Sequence, residues 1–447
     1  MNAGPSNPPN GRTSQRPSAA VPRGDLSPAP SDDRPHVVIV GAGFGGLACA
    51  QALGGRGVRV TIVDRRNYHL FVPLLYQVST AALSPADIAE PIRKVLRRHP
   101  NVAVVMAEVA GVDVPAQRVL IAGGGYIPYD RLVLATGSRY NYFGHDGWAA
   151  LAPGLKTVSD ARQIRASILG GFEQAEICKD PHEQAALTTS VVIGAGPTGV
   201  EVAGAIAELA RWTLRRNFRN IDPATATVVL VEAGPRILAA FPDELAAYAS
   251  DRLARMGVEV RTGAEVERVD QGSVKVGGER IRANTIVWAA GIKASPAARW
   301  LGVEDDPLGR LPVNADLSVR GFDAIYAIGD TALALDEAGN ALPALAQVAK
   351  QQGKHLGRNL AAQLESGKPP AAFRFRNRGN TAVIGRHAAI FDFGTHRLKG
   401  WIAWLLWAVI HVYLLVAFEK RVVVSVQWFW RWLTHQRGAR LISSDGD

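Results

Sequence analysis

The chain has little cysteine: Cys49 and Cys178 are the only two in 447 residues. They form no C-x-x-C pair and no cluster at metal-ligand spacing. A disulfide framework, a zinc site and an iron–sulfur cluster are therefore excluded, no metal is expected, and redox work needs an organic cofactor. Residues 1–35 lack an apolar segment of signal-peptide type and carry eight prolines, so they read as a disordered tail and not as a secretory leader. No nucleic-acid-binding motif is present. Acidic residues are in deficit, 40 against 50 Lys and Arg, and the formal charge of +10 favours anionic partners. Long apolar runs are scarce, and the one that stands out is WIAWLLWAVIHVYLLVAF at 401–418.

Glycine, by contrast, stands in two informative places. HVVIVGAGFGG at 36–46 is an apolar strand running into Gly41-x-Gly43-x-x-Gly46. A helical segment follows, and then VRVTIVD, which ends in Asp64. This is a complete dinucleotide fingerprint. The first glycine makes the turn and the second lets the backbone approach a pyrophosphate. The third lets helix and strand pack closely, and the terminal acid bonds a ribose hydroxyl. SVVIGAGPTGVEVAGAIAEL at 190–209 repeats it with Gly194, Gly196 and Gly199. Its strand TVVLVE ends in Glu232, further from the glycines than usual, so the intervening segment must lengthen the helix or add a loop. A carboxylate at Glu232 repels a 2′-phosphate and favours NADH over NADPH.

The repetition extends further. LVLATGS at 132–138, with Thr136 and Gly137, is similar to IVWAAGI at 286–292, with Gly291. Gly41 and Gly137 are 96 residues apart, and Gly194 and Gly291 are 97 apart. Matched motifs at matched spacing predict two similar nucleotide-binding units in tandem. A later strand, AIYAIGD, ends in Asp330, which either caps a following helix or bonds a cofactor hydroxyl.

Two fingerprints, an ATG turn and a late AIGD resemble the flavoproteins with two dinucleotide-binding domains. The resemblance implies an α/β fold of two Rossmann-like units, the second inserted in the first. FAD, held non-covalently, would occupy the first unit, NADH the second, and Asp330 would touch FAD. Without a redox cysteine pair the chain does not suit the disulfide reductases or the sulfide:quinone reductases. YHLFVPLLYQVSTAALSPADIAEPIR at 68–93, GPTGVEVAGAIAEL at 196–209, AQVAKQ at 346–351, RGNTAVIGRHAAIFDFG and HQRGARLI resemble type II NADH:quinone dehydrogenases.

That resemblance implies hydride transfer from NADH to FAD and electron transfer to a membrane quinone, without proton pumping. Gln347 and Gln351 stand one helical turn apart in an apolar segment, and uncharged amides suit quinone carbonyls. Glu201 would sit near the nicotinamide–flavin contact, orienting nicotinamide or relaying protons. The implied division is 1–35 tail, 36–155 FAD unit, 156–292 NADH unit, 293–375 FAD unit resumed with the quinone-site helix, and 376–447 a C-terminal membrane-associated region.

Three readings of 401–418 are open: a helix on the membrane surface, a single span and a buried core helix. Trp404, Trp407 and His411 share one helix face, which reads as an aromatic stripe for the lipid surface. Seven Lys or Arg residues and only Glu419 among acids lie between Arg397 and Arg440. They flank the apolar run on both sides, as expected for anionic headgroups. VVVSVQWFWRWL at 422–433 allows helix or strand, and the family implies helix. The expected partners are NADH, a membrane quinone and an anionic phospholipid surface through 397–440, with a homodimer as one option. The expected place is the cytoplasmic face of the inner membrane, peripherally, with one C-terminal span as the alternative.

Overall fold

The computed structural model describes residues 24–27, 32–414, 418–434 and 440–442. Its first sheet is parallel and five-stranded, in the order Ile325–Ala327, Arg131–Leu134, His36–Val40, Arg59–Asp64, Val102–Met106. The strands are runs of Val, Ile and Leu, and the three central ones are covered on both faces, as a parallel sheet between layers requires. A second parallel sheet runs Thr285–Trp288, Ser190–Ile193, Val228–Glu232, Val258–Thr262. The strand ending in the Gly137 turn flanks the first fingerprint strand, and the strand ending in the Gly291 turn flanks the second. Each unit also carries an antiparallel three-strand meander, 109–128 in the first and 266–282 in the second. The expected tandem similarity is thus visible strand by strand. Strand Ile325–Ala327 returns to the first sheet after the whole second sheet has been built, so the second unit is inserted.

The insert after Gly199 resolves as both expected options. Helix Pro197–Glu208 is prolonged by a π-helical turn, Leu209–Thr213, and a loop then leads to Val228. Part of the tail is anchored: Leu26 N–H donates to the Tyr126 carbonyl at 2.9 Å. The reading of residues 1–23 and 28–31 as a disordered tail falls outside the described residues.

The long helix Ala346–Ser366 lies against the first fingerprint helix, Phe44–Leu53, through glycines. A Cβ on Gly353 would sit 2.1 Å from the Gly45 carbonyl oxygen, and one on Gly357 would sit 2.7 Å from that of Cys49. Gly353→Val must therefore part the two helices. It should cost about 1–3 kcal/mol or more and weaken FAD retention, read as a lower Tm and a lower flavin content after gel filtration. Gly170→Ala, where a Cβ meets nothing within 4 Å in a helix interior, is the control that should lower neither.

Residues 380–400 form an antiparallel sheet of Asn380–Gly385, Ala388–Asp392 and Arg397–Gly400. Within the expected region 376–447, Ala382, Ile384 and Ala388–Phe391 are core residues. The sheet packs on helix Pro197–Glu208 so closely that a Cβ on Gly204 would lie 1.9 Å from the Ile384 carbonyl oxygen.

The apolar run forms helix Trp401–Leu414, about 21 Å long at 1.5 Å per residue. It is followed by helix Phe418–Thr434. Among the described residues no helix is long and apolar enough to cross a membrane. The ambiguous segment 422–433 is helical.

The orientation of the first of these helices corrects the sequence reading. Trp407 and His411 are buried and Trp404 is half-buried, all three against protein. Trp407 stacks on His411 at 4.4 Å and on Trp428 at 5.1 Å, while Trp404 meets His387 edge-on at 5.3 Å. The physical reason lies in the polar atoms. The Trp428 indole N–H, stacked behind Trp407, donates to Gln77 Oε1 at 2.9 Å, and such a group needs a partner that lipid does not supply; the His411 ring bonds the Trp407 carbonyl of its own helix. Trp401, Ile402, Leu405, Val409 and Tyr413 face outward instead, joined by Val422, Val426, Phe429 and Trp430 of the last helix.

Candidate functional site

The two fingerprint turns have the same geometry. Gly41 and Gly194 take φ +102° and +96°, a conformation that side chains rarely adopt. A Cβ on Gly41 would sit 2.3 Å from the Ala135 carbonyl oxygen. A Cβ on Gly46 would lie 1.8 Å from the Gly41 carbonyl oxygen, and one on Gly199 the same 1.8 Å from that of Gly194. At Gly43 and Gly196, a Cβ would meet nothing within 4 Å. The outer glycines thus close each turn, and the middle one leaves the backbone accessible to a pyrophosphate. Each strand-end acid braces its own turn. Asp64 accepts from Ala42 N–H at 2.7 Å and Arg66 N–H at 2.8 Å. Glu232 accepts from Ala195 N–H at 2.7 Å and Gly234 N–H at 2.8 Å. Both carboxylates keep lone pairs for a ribose diol. The residues fit an adenine dinucleotide in each unit.

Thr136, Gly137 and Asp330 come together at one end of the first sheet, beside the antiparallel pair Ser138–Tyr140 and Ile292–Ala294. The Gly137 N–H donates to Thr331 Oγ1 at 2.9 Å, and the Thr136 hydroxyl bonds both Thr331 and Ser295. Asp330 accepts from the Ser138 hydroxyl, which is also bonded by Lys156, and the Lys156 ammonium lies 3.9 Å from the carboxylate. Burial pulls the Lys156 ammonium below the usual lysine range, and the Asp330 charge opposes this. Asp330 caps no long helix, because the next one starts only at Ala346; it sits in a short 3₁₀ turn, Gly329–Thr331. Gly291 occupies the matching turn of the second unit with φ +70°.

Glu201 lies on the second fingerprint helix, past its first turn. It lines a cavity of about 350 Å³ bounded also by Tyr76, Gln77, Glu208, Arg252, the Val383–His387 hairpin, Trp404, Trp407 and Trp428. The Val383 N–H donates to its carboxylate at 3.3 Å. Burial pushes the carboxyl up to about 8, against the smaller opposing effect of that hydrogen bond. At neutral pH Glu201 therefore holds a proton beside an aromatic-walled cavity.

Gln347 and Gln351 do not line this cavity. Both grip an extended strap, residues 371–379. Gln347 donates to the Gly379 carbonyl at 3.0 Å and accepts from Arg378 N–H at 3.1 Å. Gln351 donates to the Arg376 carbonyl at 3.0 Å and accepts from Arg376 N–H at 3.1 Å. One further turn and two further turns along, His355 and Asn359 bond the Ala371 carbonyl. Each glutamine amide retains one N–H and one lone pair for another partner.

Two residues escaped the sequence reading. Gln352, next to Gln351, is buried, and its oxygen accepts from Gly329 N–H at 2.7 Å, fixing the Asp330 turn. Its register with Val348 and Leu356 on the inward face was the available signal. Lys156 had a weaker one, the capping box Thr157–Asp160 that starts the next helix.

Residues 35–353 match the pyridine nucleotide-disulphide oxidoreductase family. The chain is 39% identical over 443 residues, 96% of its own length and 92% of the relative's, to the type II NADH:quinone oxidoreductase Ndh of Mycobacterium tuberculosis. It is 31% identical to the type II NADH:quinone oxidoreductase of Staphylococcus saprophyticus, over 80% of this chain and 90% of that one. In fold it is similar to NDH2 from Plasmodium falciparum in complex with NADH, with a TM-score of 0.83, 20% identity, and coverage of 92% of this chain and 100% of that one. Two braced dinucleotide turns, an inserted second unit and these relatives agree: the chain belongs to the pyridine nucleotide-disulphide oxidoreductases and, within them, to the type II NADH:quinone oxidoreductases.

Proposed function

We propose that the chain oxidises NADH and reduces a membrane quinone through non-covalently held FAD, without moving protons across the membrane. The observation that carries this reading is the position of Glu201. It belongs to the helix that follows the second fingerprint, and its cavity reaches the helices whose outer face is apolar. When bound, FAD supplies the redox chemistry, taking hydride from NADH and returning two electrons to quinone.

The chain supplies position and protons. The turns at Gly41 and Gly194 hold the two dinucleotides, and Asp64 and Glu232 select ribose hydroxyls. Asp330, oriented by Ser138 and Lys156, faces a sugar or ribityl hydroxyl. Glu201 keeps a transferable proton near neutral pH. Gln347 and Gln351 use their remaining amide N–H groups on the quinone carbonyls. The outward face of Trp401–Leu414 and of the last helix lies on the lipid surface, peripherally on the cytoplasmic side, and a homodimer is compatible with this placement.

The test is anaerobic and spectroscopic. NADH should bleach the flavin absorbance of the purified protein, and a short-chain quinone should restore it. Gln347→Ala with Gln351→Ala should leave bleaching intact and slow the recovery roughly tenfold or more. Bleaching without recovery in the unaltered protein would instead identify a protein acceptor.

A further inference from the structure

In strap residues 373–378, FRFRNR, the arginines alternate with Phe373, Phe375 and Asn377. Phe373 and Phe375 pack against the first core, while Arg374, Arg376 and Arg378 are exposed. The glutamines, His355 and Asn359 hold this strap on one face of the long helix. Lys350, Lys354 and Arg358 stand one position before Gln351, His355 and Asn359, so they form an adjoining exposed row at one-turn spacing. Arg374 pairs with Glu337 at 3.1 Å. Among the described residues, Lys350, Lys354, Arg358, Arg376 and Arg378 have no carboxylate within 4.0 Å. Partial desolvation of the ammonium beside the strap, and then the charges of Arg378, Arg421 and Lys354, lower Lys350 below the usual lysine range although the residue is exposed overall. A concentration of like charge without acids is unfavourable unless an anion offsets it.

The strip runs into the outward apolar face. Arg421, whose charge reaches Lys350, lies on the last helix over the ring of Tyr413 at 5.2 Å, and Tyr413 is one of the exposed residues of the helix before it. Cations bordering an apolar face fit phosphate headgroups beside acyl chains better than an acidic protein or a nucleic acid, neither of which uses the apolar half.

We infer that the strip of Lys350, Lys354, Arg358, Arg376 and Arg378 is an anionic-phospholipid contact, distinct from the C-terminal cations and set on the helix that carries Gln347 and Gln351. The inference rests on the proposed membrane docking and adds an electrostatic contact to it.

The experiment is flotation of the full-length flavin-loaded protein with vesicles of phosphatidylcholine alone or with about a third phosphatidylglycerol. The unaltered chain should prefer the anionic vesicles, and salt should erase the preference. Neutralising Lys354→Gln, Arg358→Gln, Arg376→Gln and Arg378→Gln together should weaken binding to anionic vesicles roughly 10- to 100-fold and leave phosphatidylcholine binding unchanged. A control of equal charge, Arg255→Gln, Arg268→Gln, Lys275→Gln and Arg282→Gln, should keep the preference. Flavin content and NADH bleaching in both variants show that each is folded. Equal loss in both variants, or none in the strip variant, overturns the strip while leaving docking in place. No preference in the unaltered chain overturns it in favour of an acidic macromolecule, and no binding to any vesicle removes the docking reading itself.

Discussion

Glu201→Gln should slow quinone reduction on the order of a hundredfold while NADH still bleaches the flavin at close to its normal rate. The amide keeps the size and the Val383 contact of the acid but has no proton to give. In the unaltered protein, quinone turnover should fall as pH rises through about 8, where the desolvated, half-buried carboxyl loses its proton. That limb should be absent from the pH profile of the Glu201→Gln variant, whatever its height. Stability supplies an independent readout. Folding raises this carboxyl from about 4.5 to about 8. Across that window the folded chain holds a proton that the unfolded chain has released, so stability falls as pH climbs. Above pH 8 the glutamine variant should therefore unfold at a higher temperature than the unaltered protein. If the substitution slows bleaching instead of recovery, Glu201 orients nicotinamide and the proton for quinone comes from elsewhere.

Much of the fold was legible because its signals are local. A strand, a turn of three glycines, a helix and an acid occupy consecutive stretches of chain. Each glycine has one steric task that the sequence states, and the duplication at matched spacing made the second unit readable from the first. What stayed hidden depends on partners far apart in the chain. Val383 bonds Glu201 across 182 residues, and Trp428 bonds Gln77 across 351. Nothing in RGNTAVIGRHAAIFDFG, read locally, says that it supplies the wall of a cavity on the second unit. The same limit applies to Lys156, whose importance appears only when Ser138 and Asp330 are folded against it.

The two glutamines show a subtler gap. Their spacing correctly puts them on one face of a helix, but a face has no occupant until the fold supplies one. Here an extended strap lies across it, and four side chains at one-turn spacing hold that strap by its backbone. The glutamines therefore link the strap to whatever they contact with their remaining N–H groups. This gives the quinone proposal a structural context that the motif alone lacked.

Trp407→Ala should destabilise the protein by about 3–5 kcal/mol, whereas Trp401→Ala and Trp430→Ala should leave thermal stability nearly unchanged. Trp407 is 2% exposed and is stacked between His411 and Trp428; Trp401 and Trp430 are 61% and 58% exposed. Vesicle binding should respond in the opposite order, with the two exposed tryptophans losing affinity and a folded fraction of Trp407→Ala retaining it. The sequence suggested the opposite orientation because the helix is apolar nearly all round, so its pattern defines no inward stripe. The few polar atoms decide it. The Trp428 indole N–H finds its acceptor on Gln77, on the protein side, and burial pulls His411 down to about 4, leaving it neutral and without a charge to present to headgroups. A denaturation series in which Trp401→Ala costs more than Trp407→Ala would mean that the helix is turned by half a revolution, with the Trp404–Trp407–His411 stripe on the lipid.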